Sequence, residues 1–135
     1  MLEAFPIRLD AIQPSQLYIC SEKLEAVMQI LRTEPESLEP IPVKKLGNET
    51  VFVDGHTRAF AAYLLGFSEV NVYWEDEELD WNAYAVCVDW CKQEGIRTIA
   101  DLKSRVVHEK EYEELWYKRC ERMQQDLQAG KIKKE

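Results

Sequence analysis

Long hydrophobic runs are missing from this 135-residue chain. None approaches the ~20 consecutive apolar residues that a membrane-spanning helix requires. The first residues, Met1-Leu2-Glu3-Ala4-Phe5-Pro6, lack the basic start and apolar stretch of a secretory signal. The expected location is therefore the cytoplasm, where the four cysteines (Cys20, Cys87, Cys91 and Cys120) stay as thiols. Histidine is scarce, with only His56 and His108. Structural zinc needs four nitrogen or sulfur ligands at matching spacing. Cys87 and Cys91 lie four apart on one helix face with no second pair to complete such a set. They are expected as small buried apolar side chains, and no zinc site is expected. His108 is expected exposed or capping at the start of the last helix. Basic residues are also short, 17 Lys and Arg against 25 Asp and Glu, for a net charge of −8. A duplex-binding protein must neutralise phosphates, so the charge argues against DNA as a partner. Neither a Walker phosphate loop nor a nucleophile elbow with its histidine partner occurs. Internal repeats and low-complexity segments are lacking too.

What is present is enough to build a core: 46% hydrophobic residues, with four Trp and six Tyr. The length suits one unit with an added helical part. Ile7-Arg8-Leu9 alternates as a first strand, closed by a turn at Pro14-Ser15. Ser21 reads as the N-cap of a helix to about Arg32, in which Leu24, Val27, Met28 and Leu31 form one apolar stripe. Thr33 to Ser37 breaks it. Ile41 to Leu46 and Thr50 to Val53 form a hairpin around Gly47-Asn48-Glu49, with Pro42 indicating an edge strand or a strand start. Val70 to Trp74 is a further strand. The acidic run Glu75-Asp76-Glu77-Glu78-Leu79-Asp80 reads as a solvated loop and marks a boundary. The expected division is a core of residues 1–75 and a C-terminal helical extension of residues 76–135 packed on it. Asp80 caps a helix to about Glu94, stopped by Gly95. Thr98 to Asp101 resembles a capping box opening a short helix. A last helix spans about Glu109 to Gln128, with Tyr112, Leu115, Trp116, Cys120, Met123 and Leu127 on its apolar face. A basic tail follows from Gly130.

The stretch from Val51 to Gly66 organises the rest. An apolar strand, Thr50 to Val53, runs into Asp54-Gly55-His56-Thr57-Arg58 and then into Ala59 to Leu65, an Ala- and Leu-rich helix ended by Gly66. A strand feeding a helix N-terminus aims unpaired backbone N–H groups and the positive dipole end at one spot. Such a spot attracts anions, phosphate above all. Gly55 permits close backbone approach, and Arg58 carries a planar fork of donors. The same residues fit a plain turn. In that alternative Asp54 is an N-cap, Gly55 a turn residue, Arg58 the partner of a carboxylate and His56 a surface residue.

Asp-Gly-His-Thr-Arg between a strand and an Ala-rich helix resembles the signature of the ParB/sulfiredoxin superfamily. It is most similar to the Asp-Gly-His-His-Arg branch that includes nucleotide-dependent free-serine kinases. The order of elements over residues 5–75 is similar as well. The resemblance implies an α/β (α+β) fold with a small mixed sheet and packed helices. It also implies a nucleoside di- or triphosphate with magnesium bound at this turn. Gly55, His56, Thr57 and Arg58 would then hold phosphate. Asp54 would meet the metal or orient an acceptor, and His56 would serve as donor or acid–base group. Sulfiredoxins place a reactive cysteine where His56 stands, so peroxiredoxin repair is not expected. Against the serine-kinase branch, Thr57 replaces the second histidine. The acidic residue that works on the acceptor hydroxyl falls near Gln16, with Glu22 a nearby substitute. ParB clamps add a DNA-reading helix-turn-helix domain. The helices from Asp80 to Gln128 are too few and too acidic for that, although Gly95 and the capped helix after it would mimic its turn. An enzyme, as a kinase or nucleotide hydrolase acting on a small hydroxyl compound, and a non-catalytic nucleotide-sensing or protein-interaction module both fit.

Overall fold

Side-chain periodicity becomes strands and helices in the expected order in the computed structural model, which describes residues 3–130. Strand β1 (Phe5–Arg8) starts two residues earlier than the alternation suggests. Leu9, expected as a strand residue, instead enters a 3-10 turn (Leu9–Ala11) that buries its side chain. Its amide donates to the Ser68 carbonyl (3.0 Å). A two-residue strand, β2 (Ile19–Cys20), has no counterpart in the sequence reading. It pairs in parallel with β6 (Val106–Val107), and two residues carry no period to detect.

Helix α1 (Ser21–Thr33) buries Met28 and Leu31 from its predicted stripe. Ser21 is not the N-cap. The β2 pairing carries extended backbone through Cys20, which takes that position, and the Ser21 hydroxyl donates to Glu22 Oε1 instead. Strands β3 (Ile41–Leu46) and β4 (Glu49–Phe52) form the hairpin across Gly47-Asn48, where Gly47 adopts a φ of 62°. Helix α2 (His56–Leu64) carries the chain over to β5 (Glu69–Trp74). The four-stranded sheet has the order β1-β5-β3-β4, with β5 antiparallel to β1 and parallel to β3. Pro42 is the second residue of β3, an interior strand, so it marks a strand start and not an edge.

Past the exposed residues 76–78, α3 (Trp81–Gln93) begins at Asp80, whose Oδ1 accepts from the Ala83 amide (3.1 Å). Thr98 and Asp101 complete a capping box over a 3-10 helix (Ile99–Ser104). The last helix is continuous but not uniform. It comprises α4 (Glu109–Tyr112), a π-helical turn (Glu113–Tyr117) and α5 (Lys118–Gln128). Tyr112, Trp116 and Cys120 recur in steps of four, which overshoots the 3.6-residue turn; the wider π turn absorbs the excess and keeps the buried residues inward. Tyr112, Trp116, Met123 and Leu127 are buried, whereas Leu115, expected on the same stripe, is 40% exposed. Residues 131–135 of the expected basic tail lie outside the described residues.

One hydrophobic cluster joins Ile41, Phe52 and Phe60 to Ile99, Leu102 and Trp116. Each fully buried side chain of this size adds roughly 1.5–3 kcal/mol. The cluster therefore holds the motif helix between the sheet and the C-terminal helices.

Candidate functional site

The turn from β4 to α2 begins where Phe52 leaves the sheet. Asp54 is exposed, and its Oδ1 accepts from the Gly55 amide (2.8 Å). Gly55, not Asp54, is the N-cap, in a left-handed conformation with φ 76°. Glycine is favoured by that φ and by the space: a Cβ there would stand 2.9 Å from Arg58 Nη2 and 3.0 Å from Ile41 Cγ2. The Arg58 guanidinium therefore lies folded over the Gly55 backbone. Its Nη1 reaches the Glu39 and Pro40 carbonyls at 3.4 Å each. Among the described residues Arg58 forms no ion pair, contrary to the plain-turn alternative. The Ala59 amide closes the first helical bond onto the Gly55 carbonyl. The amides of His56, Thr57 and Arg58 precede it and have no acceptor among the described residues. Thr57 is half-buried beside them. Tyr73 of β5 lies within electrostatic reach; burial raises its pKa, Glu75 adds to the rise and Arg58 opposes it.

His56 points the other way and is not a surface residue. It is 3% exposed, with its ring 5.3 Å from that of Phe52. Its Nε2 accepts from the Ser15 amide (2.9 Å), while the Ser15 hydroxyl donates to the Phe52 carbonyl (2.7 Å). These two bonds lock the Pro14-Ser15 turn to the start of α2. They also rule out a serine nucleophile activated by His56, because the hydroxyl is spent on a carbonyl and Nε2 on an amide. Burial pushes the His56 pKa down to about 4, with Asp54 opposing the shift. The ring is therefore neutral at pH 7 and, with Nε2 an acceptor, carries its proton on Nδ1.

His56 lines a cavity of about 330 Å3 between the motif and the C-terminal helices. Gln16, Asp80, Tyr84, Cys87, Trp116 and Cys120 share its wall. Tyr84 donates its hydroxyl to the Val53 carbonyl (3.1 Å), tying α3 to the turn. Gln16, at the position where the resemblance implies an acid, donates Nε2 to the Tyr18 carbonyl (2.8 Å). Glu22, its suggested substitute, is absent from the cavity wall. Its Oε1 accepts from the Ser21 hydroxyl and from the Glu109 amide (3.1 Å), so it caps the last helix. His108 is exposed at the N-cap of that helix without a capping bond, and its Nδ1 stands 3.4 Å from the Ser21 hydroxyl. The structure thus gathers Asp54, Gly55, Thr57 and Arg58 at the outer face of the turn and sends His56 inward. Ser15 and Tyr84 are the site residues that the sequence reading missed. Each acts on the turn through a contact more than thirty residues away in the chain, which no local pattern announces.

No protein-family model and no curated protein matches this sequence. Among solved structures, protein Atu1540 from Agrobacterium tumefaciens is similar in fold, with a TM-score of 0.50 at 14% identity over 72% of this chain. A Pnob8-like ParB-N domain aligns with a TM-score of 0.45 at 19% identity over 70% of this chain. The matched regions span 51% of the Agrobacterium protein and 33% of the ParB-N chain. At these identities the likeness concerns the fold. What it shows is a mixed α+β architecture, shared with the Agrobacterium protein.

Proposed function

We propose that this chain is a ParB-like nucleotide-binding domain that holds the phosphates of its ligand at the N-terminus of α2. The supporting observation is the trio of amides at His56, Thr57 and Arg58 that have no acceptor among the described residues, beside a left-handed glycine that lets a ligand approach the backbone. A phosphate there accepts from the amides and sits at the positive end of the α2 dipole. Arg58 needs only to swing off two long carbonyl contacts to offer its fork. Asp54 is exposed with one carboxylate oxygen committed to the Gly55 amide, which leaves the other for a magnesium ion, alongside the Thr57 hydroxyl.

Binding without turnover is the favoured form. Phosphoryl transfer to a hydroxyl needs a group to receive its proton. In the cavity wall, Asp80 has one carboxylate oxygen committed to capping α3 and His56 has its basic nitrogen occupied, and Glu22 stands outside the wall. One observation favours the enzymatic alternative, transfer to a small hydroxyl compound: the cavity beside His56 has room for such an acceptor.

Thermal melting with ATP, ADP or CTP plus magnesium tests the reading. A ligand that binds only the folded state adds about 2.7 kcal/mol at a hundredfold excess over its Kd. The expected result is a rise in Tm for the wild type that is lost in Arg58→Ala. An unchanged Tm with every nucleotide returns the motif to a plain capped turn. Turnover that collapses in Asp54→Ala would select the enzyme over the module.

A further inference from the structure

The cavity has a second chemical feature that nucleotide binding does not use. Cys87 of α3 and Cys120 of α5 both stand in its wall. They come from two helices that pack against each other, and Cys120 rests on the core cluster that contains Cys87. The two thiols influence each other: Cys87 lowers the Cys120 pKa, burial opposes the shift, and Arg119 lowers it further. Cys120 in turn raises Cys87, and burial adds to the rise. Cys120 is half-buried whereas Cys87 is buried. The other two cysteines are set apart: Cys20 and Cys91 are buried, neither lines this cavity, and burial pushes the Cys91 thiol up to about 12.

From this placement we infer that Cys87 and Cys120 form a redox-active dithiol, in which a small peroxide entering the cavity is reduced and the two helices become joined by a disulfide. Cys120 is the attacking thiolate, being the more accessible sulfur and the one favoured as an anion. Its sulfur bonds to one peroxide oxygen as the O–O bond breaks. Hydroxide leaves and is protonated to water, and Cys120 becomes a sulfenic acid. The Cys87 sulfur then attacks the sulfenic sulfur. The S–S bond forms, the S–O bond breaks, and the departing hydroxide takes the Cys87 proton as water. Two thiols and one peroxide give one disulfide and two waters, with two electrons passing from sulfur to oxygen.

Hydrogen peroxide added to the reduced full-length chain, followed by alkylation, peptide mapping and intact mass, tests this. The expected product has lost two hydrogens and two alkylatable thiols, with the crosslink between Cys87 and Cys120. The Cys87→Ser variant should stop at the sulfenic acid on Cys120, trapped by dimedone, and dithiothreitol should restore the wild-type thiol titre. Cys120→Ser, at the less buried position, should leave Cys87 reduced at the same peroxide dose. Alkylation of both residues after peroxide, or a crosslink through Cys20 or Cys91, would overturn the inference. So would oxidation of Cys87 in the Cys120→Ser variant, provided far-UV circular dichroism shows that the variant is folded.

Discussion

Gly55 and Gly66 both have positive φ, 76° and 90°, yet they differ in surroundings. A Cβ at Gly66 meets nothing within 4 Å, so Gly66→Ala should cost about 1 kcal/mol for conformation alone. At Gly55 the same strain adds to displacement of Ile41 and Arg58, and Gly55→Ala should cost about 2 kcal/mol or more in chemical denaturation. His56 yields a prediction in pH. Its pKa is about 4 when folded and 6.5 unfolded, so between those values the unfolded chain binds the extra proton. The His56 contribution is complete above about pH 6.5 and is lost as pH falls toward 4. The loss amounts to about 3 kcal/mol over that window. His56→Gln keeps an acceptor for the Ser15 amide without a titrating group. The drop in Tm from pH 6.5 to pH 4 should be smaller in that variant than in the wild type.

At the scale of elements, the C-terminal region depends on caps made by single carboxylates. Asp101 accepts from the Arg97 and Thr98 amides, and these bonds, the Arg97 one foremost, lower its pKa. Asp101→Ala should cost about 1 kcal/mol in denaturant titrations, as lost N-caps do. Elements with strong local signals were legible in the sequence. The β3–β4 hairpin, the α3 cap at Asp80, the Thr98 box and the extent of the last helix follow from turn residues and periodicity. Elements defined by distant partners were not. β2 exists because Ile19 and Cys20 pair with Val106 and Val107, and Cys20 displaces Ser21 as a cap for the same reason. The candidate site divides likewise. Asp54 to Arg58 stood out as a polar interruption between two apolar stretches. The inward turn of His56 depends on Ser15 and Phe52, and composition around the motif does not encode that contact.

For the whole molecule, the N-terminal sheet and the C-terminal helices share one core and several polar ties. Gln13 is buried, and its Nε2 donates to the Pro14 and Ile96 carbonyls at 3.0 and 2.8 Å. Lys92 of α3 pairs with Glu49 of β4. Unfolding should therefore be cooperative. Tryptophan fluorescence, reporting Trp74 in the sheet and Trp81, Trp90 and Trp116 in the helices, should trace the same denaturant transition as far-UV circular dichroism. Two separated transitions would show that the halves melt independently. No helix among the described residues is long and apolar enough to cross a membrane. If the proposed nucleotide site exists, a net charge of −8 means that added salt should not weaken its binding as steeply as it weakens duplex binding by basic proteins.

The acidic connection between β5 and α3 carries exposed glutamates at 77 and 78, while the two sides of it are held together by β2–β6 pairing, Gln13 and the Lys92–Glu49 pair. A single cut there by a glutamate-specific protease breaks the covalent chain without removing any of these ties. The two pieces should stay together through gel filtration under native conditions and separate only in denaturant. The same connection is thus the natural place to divide the gene, so that two separately expressed fragments reconstitute the cavity when they meet.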